Sequence, residues 1–421
     1  MSILICIVVL ISCFKRPMLG LAFLLQINII RGVSIIDYIN PCWSCGNPPD
    51  MLLGAITPIL GFVIILLRLE LKRPIKYVLD VFDGFFILAI FILFFTSIYA
   101  FNIAESLDYS LRFLFIGSGF FFITKIILIN SNEYINYVKS FLLYSLWLAI
   151  VFGTIGCIVY LSIGYGHGAY RMTIPSVHPI PFSQLIGLGI ITSFLMFITN
   201  GDFFNIKSKI ILNLNKLVFL YLVLLLFATQ TRGVILSLAV AIFFYLTLSR
   251  VKIKKRTLYV SGIGMILALI VAIQYIDFKV LFSRLESKKT EKSVGDRLIA
   301  YQDSLTLFLE NPFGIGPDAF KHYSILPYPH NLFLEFLSQY GIFGLFISIY
   351  LIFIIVFMSF ITYKLGKRNL FYIILFALFI YYFIEAMFSF TLWMHKGMFF
   401  SIGLFAGFHY RAKQKKLTDS V

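Results

Sequence analysis

Residues 224–240 read LLLFATQTRGVILSLAV, and this stretch decides the fold class. From Leu217 to Leu248 the only amide or charge is at Gln230 and Arg232, inside a central Thr229-Gln-Thr-Arg-Gly. A bilayer core about 30 Å thick takes roughly 20 apolar residues per helix. The stretch is too long for one crossing and has no ordinary loop, so it reads as two spans, near 216–229 and 233–249, that meet at one membrane face. Helices are required because a backbone inside lipid must satisfy its own polar groups.

The same reading extends along the chain. Of 421 residues, 60% are hydrophobic and only 13% are charged. Further spans are expected near 2–14, 18–37, 51–67, 81–101, 110–129, 141–163, 181–199, 258–276, 331–362, 370–391 and 397–410. The fold class is therefore all-α: a polytopic transmembrane bundle of 12–13 spans, with residues 1–421 forming a single integral membrane domain. The first span is short, so the N-terminus reads as a tilted crossing or half of a hairpin, and no cleavable leader is evident in it.

Net charge is +16, which in a soluble chain would suggest nucleic acid. Here the basic groups punctuate the apolar runs instead: Lys15-Arg16, Arg68 to Lys76, Lys207 to Lys216, Arg250 to Arg256, Lys364 to Arg368 and Arg411 to Lys416. The intervening junctions 37–50, 102–109, 164–178 and 391–395 carry few Lys or Arg. By the positive-inside rule the basic set, and the C-terminus with it, is cytoplasmic. Nucleic acid is excluded as a partner, and the bilayer takes its place.

Cys6, Cys13 and Cys157 lie in apolar runs and read as small core residues. Cys42 and Cys45, in NPCWSCGNPP, fall in an outer loop. Two cysteines supply only half of the ligands a structural zinc needs, so no metal centre is expected. A loop disulfide and free thiols both stay open as readings.

Residues 277–330 form the one substantial outer segment. Asp296 is a plausible N-cap for a helix starting at Arg297, on which Leu298, Tyr301, Leu305 and Phe308 follow helical spacing. A short amphipathic helix on the membrane surface fits this pattern. ENPFGIGPDAF, a turn cluster, ends it, and PYPHN (residues 327–331) leads into the next long apolar helix. Asn331 is placed as N-cap of that helix, and His330 sits just outside its positive end.

Taken alone, His330 reads as a loop histidine bonded to a carbonyl, Asn331 as a cap and Arg232 as a snorkelling side chain. The topology nevertheless maps His330, Arg232, Arg297 and Arg171 (in GAYRMTIPSVHP) to one face of the membrane. Guanidinium forks bind phosphate oxygens bidentately and stay charged at any workable pH. A histidine with its ordinary pKa of about 6.5 can take the proton of an attacking hydroxyl. Such a set suits displacement at a lipid-linked diphosphate. Glu335, one turn into the return helix, is an alternative base or substrate-binding group, although a lone glutamate there is more often structural.

TQTRGVILSL, GDRLIAYQDSLTLFLENPFGIGPDAF and PHNLFLEFLSQYGIFGLF together resemble the O-antigen ligase and O-antigen polymerase family of bacterial envelopes, over residues 165–395. The resemblance implies a GT-C-type, metal-independent, inverting glycosyltransferase with no cofactor, acting at the periplasmic face of the bacterial inner membrane. Its donor would be a glycan on undecaprenyl diphosphate, and its acceptor another lipid-linked glycan or a lipid A-core sugar. By position, Arg232 and Arg297 would hold the diphosphate, and His330 would assist the acceptor hydroxyl. Arg171, Asn331 and Glu335 would contact substrate. A chain-length regulator is a partner the family allows. Where relatives carry an acid before the glycine after His-Asn, this chain has Gln339 and Tyr340. The compact outer segment favours the polymerase over the ligase. A flippase for the same lipid is the competing class, but it would place its polar groups near mid-bilayer in related halves.

Overall fold

The computed structural model describes residues 2–34, 52–163, 171–174, 177–249 and 288–418. The span expected at 258–276 and the Cys42–Cys45 pair lie outside them. Regular structure among the described residues is helical throughout. Among the described residues, seven helices are long and apolar enough to cross a membrane: Leu53–Glu70, Ile103–Ile129, Tyr134–Ser162, Pro179–Ile198, Lys209–Ala228, Arg232–Ser249 and Leu332–Leu365. Three shorter apolar helices, Ser2–Lys15, Val81–Ser97 and Leu370–Ala386, accompany them. The all-α, multi-pass reading is borne out.

The chain divides into two compact units. The first comprises the described residues within Met1–Ile65 and Ile135–Ile242. Its N-terminus is a helical hairpin, because only Arg16 separates Ser2–Lys15 from Pro17–Leu25. Proline opens the second arm at no hydrogen-bonding cost, and Gly20 sits so close that a Cβ would lie 2.5 Å from the Cys13 Cα. Helices Pro179–Ile198 and Lys209–Ala228 are joined by a reciprocal pair. Ser193 Oγ donates to Asn215 Oδ1 at 2.8 Å, and Asn215 Nδ2 donates to the Ser193 carbonyl at 2.9 Å. Such polar ties hold helices together where lipid removes the hydrophobic drive.

The second unit comprises Leu66–Tyr134, Phe243–Ser249 and Ser287–Val421. Helix Lys396–Thr418 lies against Ile103–Ile129 through Gly403 and Gly407, spaced one turn apart. A Cβ on Gly403 would come within 2.6 Å of the Phe121 carbonyl oxygen, so small residues let the backbones meet. Within the same stretch of Ile103–Ile129, Lys125 is buried and bonds Asp83, Asp80 Oδ2 at 2.9 Å and the Val78 carbonyl at 3.0 Å. Asp80 and Asp83 form a capping box at the start of Val81–Ser97, and Tyr77 donates to Asp83. Here two caps and one ammonium share the cost of burying charge.

His395, between Leu370–Ala386 and Lys396–Thr418, is only 5% exposed, and burial pushes its imidazole down to about 3. The folded state therefore binds fewer protons than the unfolded state between about pH 6.5 and pH 3. Stability is full above that window and falls as pH drops through it. By this linkage the penalty reaches about 2 kcal/mol at pH 5. Thermal unfolding in detergent from pH 7 to pH 4.5 should show that loss, and His395→Phe should flatten it.

Two features shape this unit around residues 288–345. Helix Leu332–Leu365 is broken at Gly341, whose φ of 58° and ψ of −133° are non-helical. At about 1.5 Å per residue, 342–365 spans a 30 Å core unaided, leaving 332–340 as a separate half-helix. The turn 310–320 is laced into the break. Ile342 N–H donates to Pro312 O at 2.8 Å, Gly316 N–H to Gln339 O at 2.9 Å and Ile315 N–H to Ser338 O at 3.3 Å. Irregular backbone in a membrane protein is tolerated where protein groups satisfy it in this way.

The amphipathic helix differs from its expected form. It runs Lys288–Glu310, so Asp296 is an interior residue rather than the N-cap. The face turned inward is Ala300, Ser304 and Leu307, with Ala300 and Leu307 against Ile315, Ala319 and Phe320. Leu298, Leu305 and Leu309 remain exposed.

Candidate active site

In the first unit the site residues gather at the turn between Lys209–Ala228 and Arg232–Ser249. Gln230 has a positive φ of 52°, which reverses the chain in three residues. Thr229 and Thr231 are buried. Arg171 holds this turn: its Nε donates to the Thr229 carbonyl at 3.1 Å and its Nη2 to Thr231 Oγ1 at 2.9 Å. Ser183 Oγ donates to the same Thr231 oxygen at 2.7 Å, and Met172 N–H to Ala228 O at 3.0 Å. Arg232, next in sequence, opens the second helix with its side chain exposed. Arg171 thus braces the turn that presents Arg232, a job its looser correspondence to the family did not suggest.

In the second unit Asn331 is the N-cap, as the sequence predicts. Its Oδ1 accepts from Phe333 N–H at 3.1 Å and Leu334 N–H at 3.2 Å. His330 before it has φ 58°, uncommon for a residue with a Cβ and strained where it occurs. The half-buried imidazole lies against Tyr328, ring centroids 4.4 Å apart at 52°. Arg297 is half-buried on helix Lys288–Glu310 and acts electrostatically on Tyr328. Burial and the negative charge of Glu335 hold the Tyr328 phenol above its ordinary range. The Arg297 charge works the other way, and Glu385 adds to the rise.

Glu335 is fully buried. Its Oε1 accepts from the Tyr109 hydroxyl at 2.6 Å, from Leu392 N–H at 3.1 Å and from the Thr391 hydroxyl. The turn 387–395 and helix Ile103–Ile129 are thereby fastened to the half-helix. Gln339 is a structural tie, since its Oε1 accepts from Asp318 N–H at 2.6 Å.

Arg171 and Arg232 thus share one group; Arg297, His330, Asn331 and Glu335 share another. Sequence reasoning passed over Tyr328, Tyr109, Thr391 and Glu385. Of these, only Tyr328 carried a signal, its place between two prolines immediately before the histidine.

Residues 217–349 match a protein-family model described as O-Antigen ligase. The matched segment contains Arg232, Arg297, His330, Asn331, Glu335 and the Gly341–Gly344 pair, while Arg171 lies outside it. It is narrower than the 165–395 of the motif resemblance. No curated protein matches the chain.

Proposed function

We propose that this chain, whose residues 217–349 match a family model described as O-Antigen ligase, is a membrane enzyme of the O-antigen ligase and polymerase kind that transfers a lipid-linked glycan at the periplasmic face of the bacterial inner membrane. The donor is a glycan on undecaprenyl diphosphate, and the favoured acceptor is the distal sugar of another lipid-linked unit, which makes the enzyme a polymerase. The acceptor hydroxyl attacks the anomeric carbon as His330 takes its proton. The C–O bond to the diphosphate breaks, and its electron pair stays on the leaving oxygen. Arg232 and Arg297 stabilise the charge growing there. A single displacement inverts the anomeric centre. Arg171 acts by bracing the Arg232 turn, and no metal enters this reading.

The observation that carries the proposal is the presentation of His330. It is held at an unfavourable φ by a two-bond cap, against a tyrosine on which Arg297 acts. Strain of this kind persists where a function fixes it. The ligase reading shares all of this chemistry and is favoured by the description of the matching family.

Protein in liposomes, given an undecaprenyl-diphosphate oligosaccharide, should build a ladder of longer lipid-linked products. Product only when lipid A-core is added would make it a ligase. Lipid translocation with no glycosidic product would sink both readings.

A further inference from the structure

Trp393 stands in the short turn Leu392–Met394, between helices Leu370–Ala386 and Lys396–Thr418, and is half-buried. Two cations from different elements reach its ring. The Arg112 guanidinium, on Ile103–Ile129, lies 5.4 Å from the indole centroid, and the Lys396 ammonium lies 6.0 Å from it. Arg112 also pairs with Asp108, one turn back, at 2.7 Å. Their side chains are 49% and 59% exposed, so both stay within reach of a ligand.

Ordinary membrane roles do not account for this group. Interfacial tryptophans anchor helices at the headgroup level, but an anchor needs no ion pair beside its ring. The positive-inside rule does not place the cations either. Arg112 and Lys396 adjoin 102–109 and 391–395, two junctions that contain no Lys or Arg. The group is also firmly held. Leu392 N–H, next to Trp393, donates to Glu335 Oε1 at 3.1 Å. The Tyr109 hydroxyl, three residues before Arg112, donates to the same oxygen at 2.6 Å. Glu335 N–H in turn donates to Asn331 O at 2.9 Å. Indole and guanidinium are thereby tied to the half-helix that starts at the Asn331 cap.

The chemistry fits a sugar. The face of an indole is electron-rich and attracts the polarised C–H bonds on one side of a pyranose ring. A guanidinium fork bonds a carboxylate through two parallel hydrogen bonds and keeps its charge. An aspartate only accepts, which suits a sugar hydroxyl. Two cations against one carboxylate leave positive charge in excess, so the best-matched sugar is itself an anion.

We propose that Trp393, Arg112, Asp108 and Lys396 form a saccharide subsite for an acidic pyranose, one that carries a carboxylate. The indole takes the ring face, Arg112 the carboxylate and Asp108 a hydroxyl, while Lys396 adds positive charge beside the ring. The inference deepens the glycan-transfer reading above and rests on it for the source of the sugar.

The chain has three tryptophans, so Trp43→Phe with Trp147→Phe leaves Trp393 as the only indole to report. In phosphatidylcholine nanodiscs a galacturonic acid trisaccharide should change its emission saturably. The uncharged galactose trisaccharide should bind about tenfold more weakly, the worth of one charge-assisted contact. Arg112→Gln should bring the acidic probe down to the neutral level. Asp108→Asn keeps an acceptor but releases the guanidinium, and should tighten acidic binding severalfold. In the liposome assay with a uronate-bearing donor, Trp393→Leu should raise KM about tenfold with kcat within twofold of wild type, as loss of uniform binding requires.

Emission unmoved by the acidic probe overturns the proposal, as does equal binding of the two probes or an Arg112→Gln protein that binds like wild type. Should Arg112→Gln not fold, acidic binding by Asp108→Asn no tighter than wild type overturns it. Emission that answers to phosphatidylglycerol in the disc and not to sugar would assign the group to lipid headgroups and also overturn it. If the acidic probe binds as expected but wild type transfers no glycan, the transfer reading fails and the subsite stands.

Discussion

His330→Ala should cut glycan transfer in liposomes by about 10²- to 10⁴-fold, the usual worth of a positioned general base, while donor binding stays within a few-fold of wild type. The split follows from the roles assigned: arginines hold the diphosphate in ground and transition states alike, and the imidazole acts only as the hydroxyl loses its proton. The backbone offers a sharper version. His330 sits at φ 58°, where alanine adds strain of about 1 kcal/mol and asparagine is tolerated. His330→Asn therefore removes the titrating ring while sparing the turn, and should be as inactive as alanine but better folded. Either variant retaining a third of the wild-type rate would remove the histidine from the mechanism.

Gly344→Ala should leave almost no folded protein. A Cβ there would lie 1.8 Å from the Phe336 carbonyl oxygen, a backbone atom that cannot swing aside. Gly341→Ala meets two obstacles: φ 58° with ψ −133°, and a Cβ 2.2 Å from Pro312 O. Each should cost about 4 kcal/mol or more, the range reserved for overpacking and special backbone conformations. Gly54 provides the control, since its Cβ would meet nothing nearer than Arg31 Nη1 at 3.9 Å. Membrane yield and unfolding temperature in detergent measure the three together. A Gly344→Ala protein that melts with wild type would show that the half-helix is not bent as described.

Apolar periodicity places the spans because lipid leaves the backbone few choices. The ends of Pro179–Ile198, Arg232–Ser249 and Leu332–Leu365 fall within three residues of their expected places, whereas Ile103–Ile129, Tyr134–Ser162 and Lys209–Ala228 begin seven residues earlier than expected, where polar first turns hide the helix start from an apolar count. The Asn331 cap was legible for the same local reason: a short polar side chain before an apolar helix has one good use. The break at Gly341 was not. Its signal, Gly-x-x-Gly, is shared with ordinary helix packing, and only the chain threaded at 312–316 distinguishes the two. The helix at Lys288–Glu310 was misjudged at its start because Asp296 fits a cap and an interior position equally well in sequence. Tyr109 and Thr391 were invisible, since their tie to Glu335 joins residues more than fifty positions apart in each case.

The bend at Gly341 also separates two length scales. Because 342–365 meets the hydrocarbon thickness by itself, a thicker or thinner bilayer is accommodated by tilt of that portion. The nine residues above the bend carry no matching requirement. Their attachments are to the 310–320 and 387–395 turns and to Tyr109 on Ile103–Ile129, so His330 and Asn331 keep their setting while the anchoring rod leans, much as a hinged tool head stays level on a swaying handle.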